Sequence, residues 1–180
     1  MSDKPTIASD WLAGCAGCHM SLLDIDERLV TVLQHATLTA TPITDLKQPA
    51  KEGVTVGILE GAVANSANEE VAIRMRQRSK ILIAMGDCAC FGGVPALRNG
   101  VCLCDALKRA YVETESTVDG QIPNDPELAT MQPVRAVNQV VDVDIHLPGC
   151  PPPPDAIFYV IAELLAGRTP KLEGLNLDWH

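Results

Sequence analysis

The sequence predicts an α/β fold, a doubly wound and mostly parallel sheet of about five strands with helices on both faces. Three observations predict it. Strand and helix patterns alternate from one end of the chain to the other, as a parallel sheet with crossover helices requires. Ile81–Met85 is an unbroken apolar run, the mark of a strand buried on both faces. Loops bearing cysteine and glycine follow the first, fourth and last strands, where open parallel sheets gather their ligands.

Residues 4–12 read as the first strand and lead into the loop Gly14-Cys15-Ala16-Gly17-Cys18. A helix follows, with Ser21 as its cap and Leu22, Ile25, Leu29, Val32 and Leu33 on one face. Leu38–Ile43 is a short second strand. A polar connection containing Pro42 and Pro49 leads to the third, Val54–Leu59. After Glu60-Gly61-Ala62-Val63 a helix begins near Asn65–Asn68. The apolar strand Ile81–Met85 stops abruptly at Gly86-Asp87-Cys88, and residues 100–112 carry a helical pattern. Residues 113–133 are polar, contain Pro123, Pro126 and Pro133, and read as a long loop of the functional or interfacial kind. Val141, Val143, Ile145 and Leu147 alternate with Asp142, Asp144 and His146, which marks a last strand at or near a sheet edge. Ile157, Val160, Ile161, Leu164 and Leu165 form a helical stripe that Gly167 and Pro170 stop. Five strands with about four crossovers fit a flavodoxin-like order, and residues 1–180 read as a single domain.

Composition narrows the function classes. Aromatic residues are only 3% of the chain, so the core is built from Val, Ile, Leu and Ala. The formal net charge of −9 argues against nucleic acid or an anionic membrane as partner, because both are bound through Lys and Arg. The basic cluster Arg74, Arg76, Arg78 and Lys80 falls near a helix end, where positive charge suits the negative end of the dipole. A mean hydropathy of +0.11 is high for a soluble monomer and points to apolar surface covered by a partner subunit. No stretch approaches the ~18 uninterrupted apolar residues of a membrane span. The N-terminus carries neither an apolar export segment nor a twin arginine, so a cytoplasmic location is expected unless a partner carries the signal for both chains.

Seven cysteines are many for such a chain, and clustered cysteines outside an oxidising compartment point to metal or redox chemistry. Cys15 and Cys18 follow the first strand, Cys88 the fourth and Cys150 the last, so the topology brings four thiols to one edge of the sheet. Four thiolates are what a [4Fe–4S] cluster needs. A structural zinc site would use the same number, but its usual paired Cys-x-x-Cys spacing appears only once. Gly14, Gly17, Gly86, Gly92, Gly93 and Gly149 allow close backbone approach to such a cluster. Pro151-Pro152-Pro153-Pro154 stiffens the chain after Cys150, and its last proline suits the start of a helix. Cys90, two residues from Cys88, is its rival as a ligand. Cys90, Cys102 and Cys104 otherwise read as small buried apolar residues. His19 beside Cys18 suits a thiolate's place or, better, a hydrogen bond to the cluster, while Glu60 and Asp87 at strand ends suit a proton relay, a partner contact, plain capping or a solvated position. His35, His146 and His180 belong to no constellation, and neither a Walker A loop nor a serine nucleophile motif is present.

Taken in order, these segments resemble the small subunit of nickel–iron hydrogenases. The resemblance rests on Trp11-Leu12 with Cys15-Ala16-Gly17-Cys18, on Leu59-Glu60-Gly61-Ala62-Val63, on Gly86-Asp87-Cys88-Ala89 with Gly92-Gly93-Val94-Pro95, and on Pro148-Gly149-Cys150-Pro151-Pro152. It implies that Cys15, Cys18, Cys88 and Cys150 hold one [4Fe–4S] cluster, and it selects Cys88 over Cys90. Gly14, Gly17, His19, Glu60, Gly93 and Gly149 would then surround that cluster. It further implies a large-subunit partner that carries the nickel–iron centre. The chain ends about thirty residues after Cys150, and this short form resembles the small subunit of cytoplasmic NAD-reducing hydrogenases. Those pass electrons to a diaphorase with flavin and further clusters. Cluster-bearing subunits of respiratory complex I are similar as well, but carry adjacent cysteines where this chain has Cys15-x-x-Cys18. A flavodoxin-like fold also raises FMN as a ligand of the same edge. Against it, no phosphate-cradling Ser/Thr/Gly loop follows the first strand, where the cysteine motif stands.

Overall fold

The structure is a computed structural model that describes residues 4–47 and 49–174, so His180 lies outside the described residues. In chain order the elements are β1 (Thr6–Trp11), α1 (Gly17–Leu23), α2 (Arg28–His35), β2 (Thr37–Ala40), β3 (Val54–Glu60), β4 (Val63–Asn65) and α3 (Ser66–Arg78). They continue with β5 (Ser79–Met85), α4 (Asp87–Phe91), a 3-10 segment over Val94–Gly100, α5 (Leu103–Tyr111) and β6 (Met131–Arg135). A short 3-10 turn over Val137–Gln139, β7 (Ile145–Leu147) and α6 (Pro154–Leu165) complete the fold. The main sheet has the order β2-β1-β3-β5-β7, and every neighbouring pair is parallel. This is the doubly wound, flavodoxin-like order that the alternating sequence predicts.

Two apolar layers sandwich the sheet. On one face Val56, Ile58, Ile83 and Met85 pack against Ile25, Val32, Ile157, Val160 and Ile161 from the α1–α2 region and α6. On the other, Ala8, Leu59, Leu82 and Ala84 pack against Ala72 and Met75 of α3 and Ala89 and Cys90 of α4. Leu59 and Leu82 have no exposed surface. Burial of each contributes about 1.5–3 kcal/mol before entropy is counted. Asn65 caps α3 by accepting from the Asn68 N–H at 2.8 Å, and Pro154 opens α6, as expected of a residue that needs no N–H there.

Several expectations are corrected. The helix after the cysteine loop is two helices, and Ser21 is not a cap but lies inside α1, donating to the Pro152 carbonyl at 2.6 Å. The break falls where Asp26 takes a left-handed conformation, φ 54°, which Asp tolerates better than most side chains. The stretch 113–133 is not all loop. β6 pairs antiparallel with β4 and carries Pro133, which a two-stranded ribbon accommodates where the missing N–H is not needed. The 3-10 segment is bolted to this ribbon. Arg98 donates to the Ala64 carbonyl at 2.9 Å and to the Gln132 carbonyl, and Asn99 exchanges two bonds of 2.8 Å with the Val134 backbone.

The last strand is shorter than its alternation suggests, and Asp144 is the reason. Its carboxylate accepts from the Leu82 N–H at 2.7 Å and from Arg76 at 2.6 Å, so a side chain stands where a ladder bond would continue. Arg76 also satisfies the Ser79 carbonyl at 2.7 Å, so the basic cluster does close a helix end. Partial burial opposes ionisation of Asp144, but the Arg76 guanidinium and the Leu82 N–H outweigh it and hold the carboxyl below its usual range. A carboxyl depressed by folding stabilises the fold above its unfolded-state value, and that contribution disappears as the pH falls through the folded-state value. D144N therefore costs about 1 kcal/mol at neutral pH, an exposed pair being screened by solvent. Urea unfolding midpoints of parent and variant should converge as the pH falls below about 4.

Candidate metal centre

Three strands deliver cysteines to the carboxyl edge of the sheet. β1 runs into the loop that presents Cys15, and Cys18 sits in the first turn of α1. β5 ends at Met85 and is followed by Gly86, Asp87 and Cys88 in α4, while β7 leads through Gly149 to Cys150. The last two arms are tied together. The Asp87 N–H donates to the Gly149 carbonyl at 2.9 Å, the Gly149 N–H donates to the Asp87 carboxylate at 2.8 Å, and the Gly86 N–H donates to the Leu147 carbonyl at 2.7 Å. Asp87 thus sets the position of the Cys150 loop, a role that capping at a strand end only hinted at. The Cys150–Pro151 peptide bond is cis.

The thiols differ in exposure and feel one another. Cys15 and Cys150 are exposed, Cys88 is half-buried and Cys18 is buried. Burial pushes the Cys18 thiol well up, and the charges of Glu60, Cys88, Cys15 and Cys150 push it further. Burial likewise raises Cys88, with Cys150, Cys15 and Asp87 adding to it and a backbone hydrogen bond from Val94 opposing. Without a cation among them these groups resist becoming thiolates together. A positive centre removes that penalty, because bound thiols are deprotonated outright.

Beneath the thiols lies a buried polar chain. Glu60, at the end of β3, is 2% exposed and accepts from the Cys18 N–H at 3.3 Å, from the His19 N–H at 2.9 Å and from His19 Nδ1. His19, 1% exposed, places Nε2 2.9 Å from Ser9 Oγ, and Ser9 donates to Thr41 Oγ1 at 2.8 Å. Trp11 meets the His19 ring edge-on at 5.8 Å. Glu60 is thus neither solvated nor a simple cap. It fixes the backbone that carries Cys18. Ser9 and Thr41 escape sequence reading because a single hydroxyl in a strand gives no periodic signal.

The glycines lie where the thiols leave no room. A Cβ on Gly86, whose φ is +88°, would stand 2.3 Å from Cys18 Sγ, and one on Gly93 would stand 2.8 Å from Cys88 Sγ. Gly17 abuts Cys15 Sγ, Gly14 abuts Gly61 and the Glu60 carboxylate, and Gly149 turns against Pro152. Cys90 is buried, as expected, and donates to the Ala84 carbonyl at 3.4 Å, with burial raising its thiol to about 12. Cys102 and Cys104 overturn the expectation of burial. Both are exposed and form a disulfide with each other, because the 3-10 segment and α5 lie on the outside of the fold. His35 only returns a hydrogen bond to the Thr31 carbonyl in its own helix. The β1–α1 loop, residues 12–16, supplies no hydroxyl for a flavin phosphate.

Four soft donors over backbone that leaves no room for a Cβ at Gly86 and Gly93 fit an iron–sulfur cluster. The family model described as NADH ubiquinone oxidoreductase, 20 Kd subunit, matches residues 15–164. The chain belongs to this family. Among curated relatives, the NAD-reducing hydrogenase HoxS subunit delta of Cupriavidus necator is 40% identical over 169 residues, which cover 92% of this chain and 80% of that one. A subunit of the F420-non-reducing hydrogenase of Methanothermobacter marburgensis is 35% identical over 98% of this chain, which spans only 58% of that relative's length. A solved NAD+-reducing [NiFe]-hydrogenase in the H2-reduced state superposes with a TM-score of 0.93 at 36% identity, covering 98% of this chain and 99% of its counterpart. These relatives are hydrogenase subunits, oxidoreductases of the kind the motif order suggests. No helix among the described residues is long and apolar enough to cross a membrane.

Proposed function

We propose that this chain is the electron-transfer small subunit of a cytoplasmic, NAD-reducing nickel–iron hydrogenase, and that Cys15, Cys18, Cys88 and Cys150 hold its one [4Fe–4S] cluster. The observation that carries the reading is the convergence of these four thiols at the carboxyl edge of the sheet. Similarity over 92% and 98% of this chain to chains of NAD-reducing hydrogenases supports it. The cluster, when bound, supplies one-electron storage between a hydrogen-activating site on a large subunit and a diaphorase. The protein's own residues hold and tune it. Glu60 and the Asp87–Gly149 pair fix the arms, and burial of Cys18 with the Val94 backbone hydrogen bond to Cys88 would help set the potential.

Two further features support the reading. Among the described residues, the only three ligating side chains whose donor atoms all lie within 4.8 Å of one another are Cys102, Cys104 and Asp105. The four site thiols are thus spread more widely than around a single zinc, whose sulfurs stand roughly 3.8 Å apart at Zn–S bonds of about 2.3 Å. Phe91, Val94, Leu97 and Val101, 59–76% exposed, form an apolar stretch directly after Cys88, which suits a docking face for the large subunit.

Iron and acid-labile sulfide assays with an EPR spectrum of the reduced protein test the cluster. About four irons per chain and a reduced-cluster signal support it, whereas one zinc without sulfide would sink it. Co-purification with a nickel-bearing large subunit tests the assembly. Purification with quinone-reducing chains and no nickel would favour a complex I-like carrier instead.

A further inference from the structure

Cys102 and Cys104 lie outside the four-thiol site and take no part in its chemistry. Their Cα atoms are 5.4 Å apart and their sulfurs are bonded, yet both residues face solvent. Cys102 is the N-cap of α5, a nine-residue helix, and Cys104 is in its first turn. Unpaired N–H groups at a helix start favour a thiolate. Cys104 Sγ lies 3.7 Å from the Asp105 carboxylate, and Cys102 Sγ lies within 4.8 Å of it, so both sulfurs stand beside the same negative charge. In the reducing compartment that the proposed function implies, an accessible disulfide is typically transient and redox-sensing rather than structural.

We propose that Cys102 and Cys104 form a reversible dithiol–disulfide couple on the protein surface, exchanging with small-molecule thiols and disulfides of the glutathione class and independent of the four-cysteine site. In oxidation the Cys102 thiolate attacks one sulfur of the small disulfide. A mixed disulfide forms and one small thiolate leaves. The Cys104 thiolate then attacks the Cys102 sulfur, closes the Cys102–Cys104 bond and releases the second small thiolate. The protein pair gives up two electrons and two protons, and the small disulfide takes both as two thiols. Reduction runs the same exchanges backwards. The couple sits at the rim of the apolar stretch that ends at Val101, so its state is displayed beside that face.

The test uses the assembled complex as purified, equilibrated anaerobically across glutathione ratios, quenched in acid, labelled with N-ethylmaleimide and digested for mass spectrometry. The peptide holding both cysteines should pass from two labels to none as one two-electron step, with iron content constant. C104S should trap glutathione on Cys102, and C102S should trap it on Cys104. Two labels at every ratio, or none at the most reducing one, would overturn the proposal. Iron lost in step with the labels would overturn its independence from the main site. Added zinc that shields the reduced pair from labelling, with no disulfide formed at any ratio, would replace it with a metal site.

Discussion

C18S should leave the chain with well under one iron in place of about four, and without the reduced-cluster EPR signal. On the proposed function, hydrogen-dependent NAD reduction by the assembled complex should fall by more than about 100-fold, beyond the 10–100-fold typical of residues that only support a ligand. The reason is chemical rather than steric. Serine fits the space, but its hydroxyl is a hard donor with a far higher pKa than a thiol. The buried position of Cys18 also admits no water to take over the role. C90S is the matched control. Cys90 is buried, bonded to the Ala84 carbonyl and held as a neutral thiol, so its loss should retain full iron and cost about 1 kcal/mol of stability. Iron loss in C90S and retention in C18S would reverse the assignment.

E60A should be the most destabilising single change near the site, by about 3–5 kcal/mol, the range found when one member of a buried pair is removed. The carboxylate is enclosed, and its removal strands the N–H groups of Cys18 and His19 together with His19 Nδ1. E60Q keeps the shape but turns an NH2 group toward at least one donor, so a loss of about 1–3 kcal/mol is expected. Denaturant unfolding followed by circular dichroism measures both. A loss below about 1 kcal/mol in E60A would mean that Glu60 does not carry the buried network.

Much of the fold is legible because parallel strands announce themselves. β5 holds an unbroken apolar run that stops at glycine and β3 is rich in Val, Ile and Leu and ends in charge, and their predicted limits fall within two residues of the observed ones. β4 and β6 are not legible, since a three-residue strand has no period and Pro133 reads as a breaker. Their pairing joins Asn65 to Met131, a contact that local pattern cannot express. The break between α1 and α2 hides inside a helical stripe that continues across it through Ile25. At the site, the cysteines are visible because strand ends converge, whereas the Ser9–Thr41 bond depends on which strands become neighbours. Cys102 and Cys104 mislead because cysteine is so commonly buried that its type outweighs its surroundings.

The clamp between Asn99 and Val134 gives the chain an unusual freedom. Everything between them, 35 positions in sequence separation, leaves and re-enters the body of the protein at one place. Lengthening such an excursion adds little entropy cost, about 0.6 kcal/mol for each doubling. Insertions, shortened versions or a grafted tag within residues 113–129 should therefore be accepted while the four thiols keep their spacing. Evolution has the same latitude, and can reshape this outer excursion for new neighbours without retuning the centre beneath it.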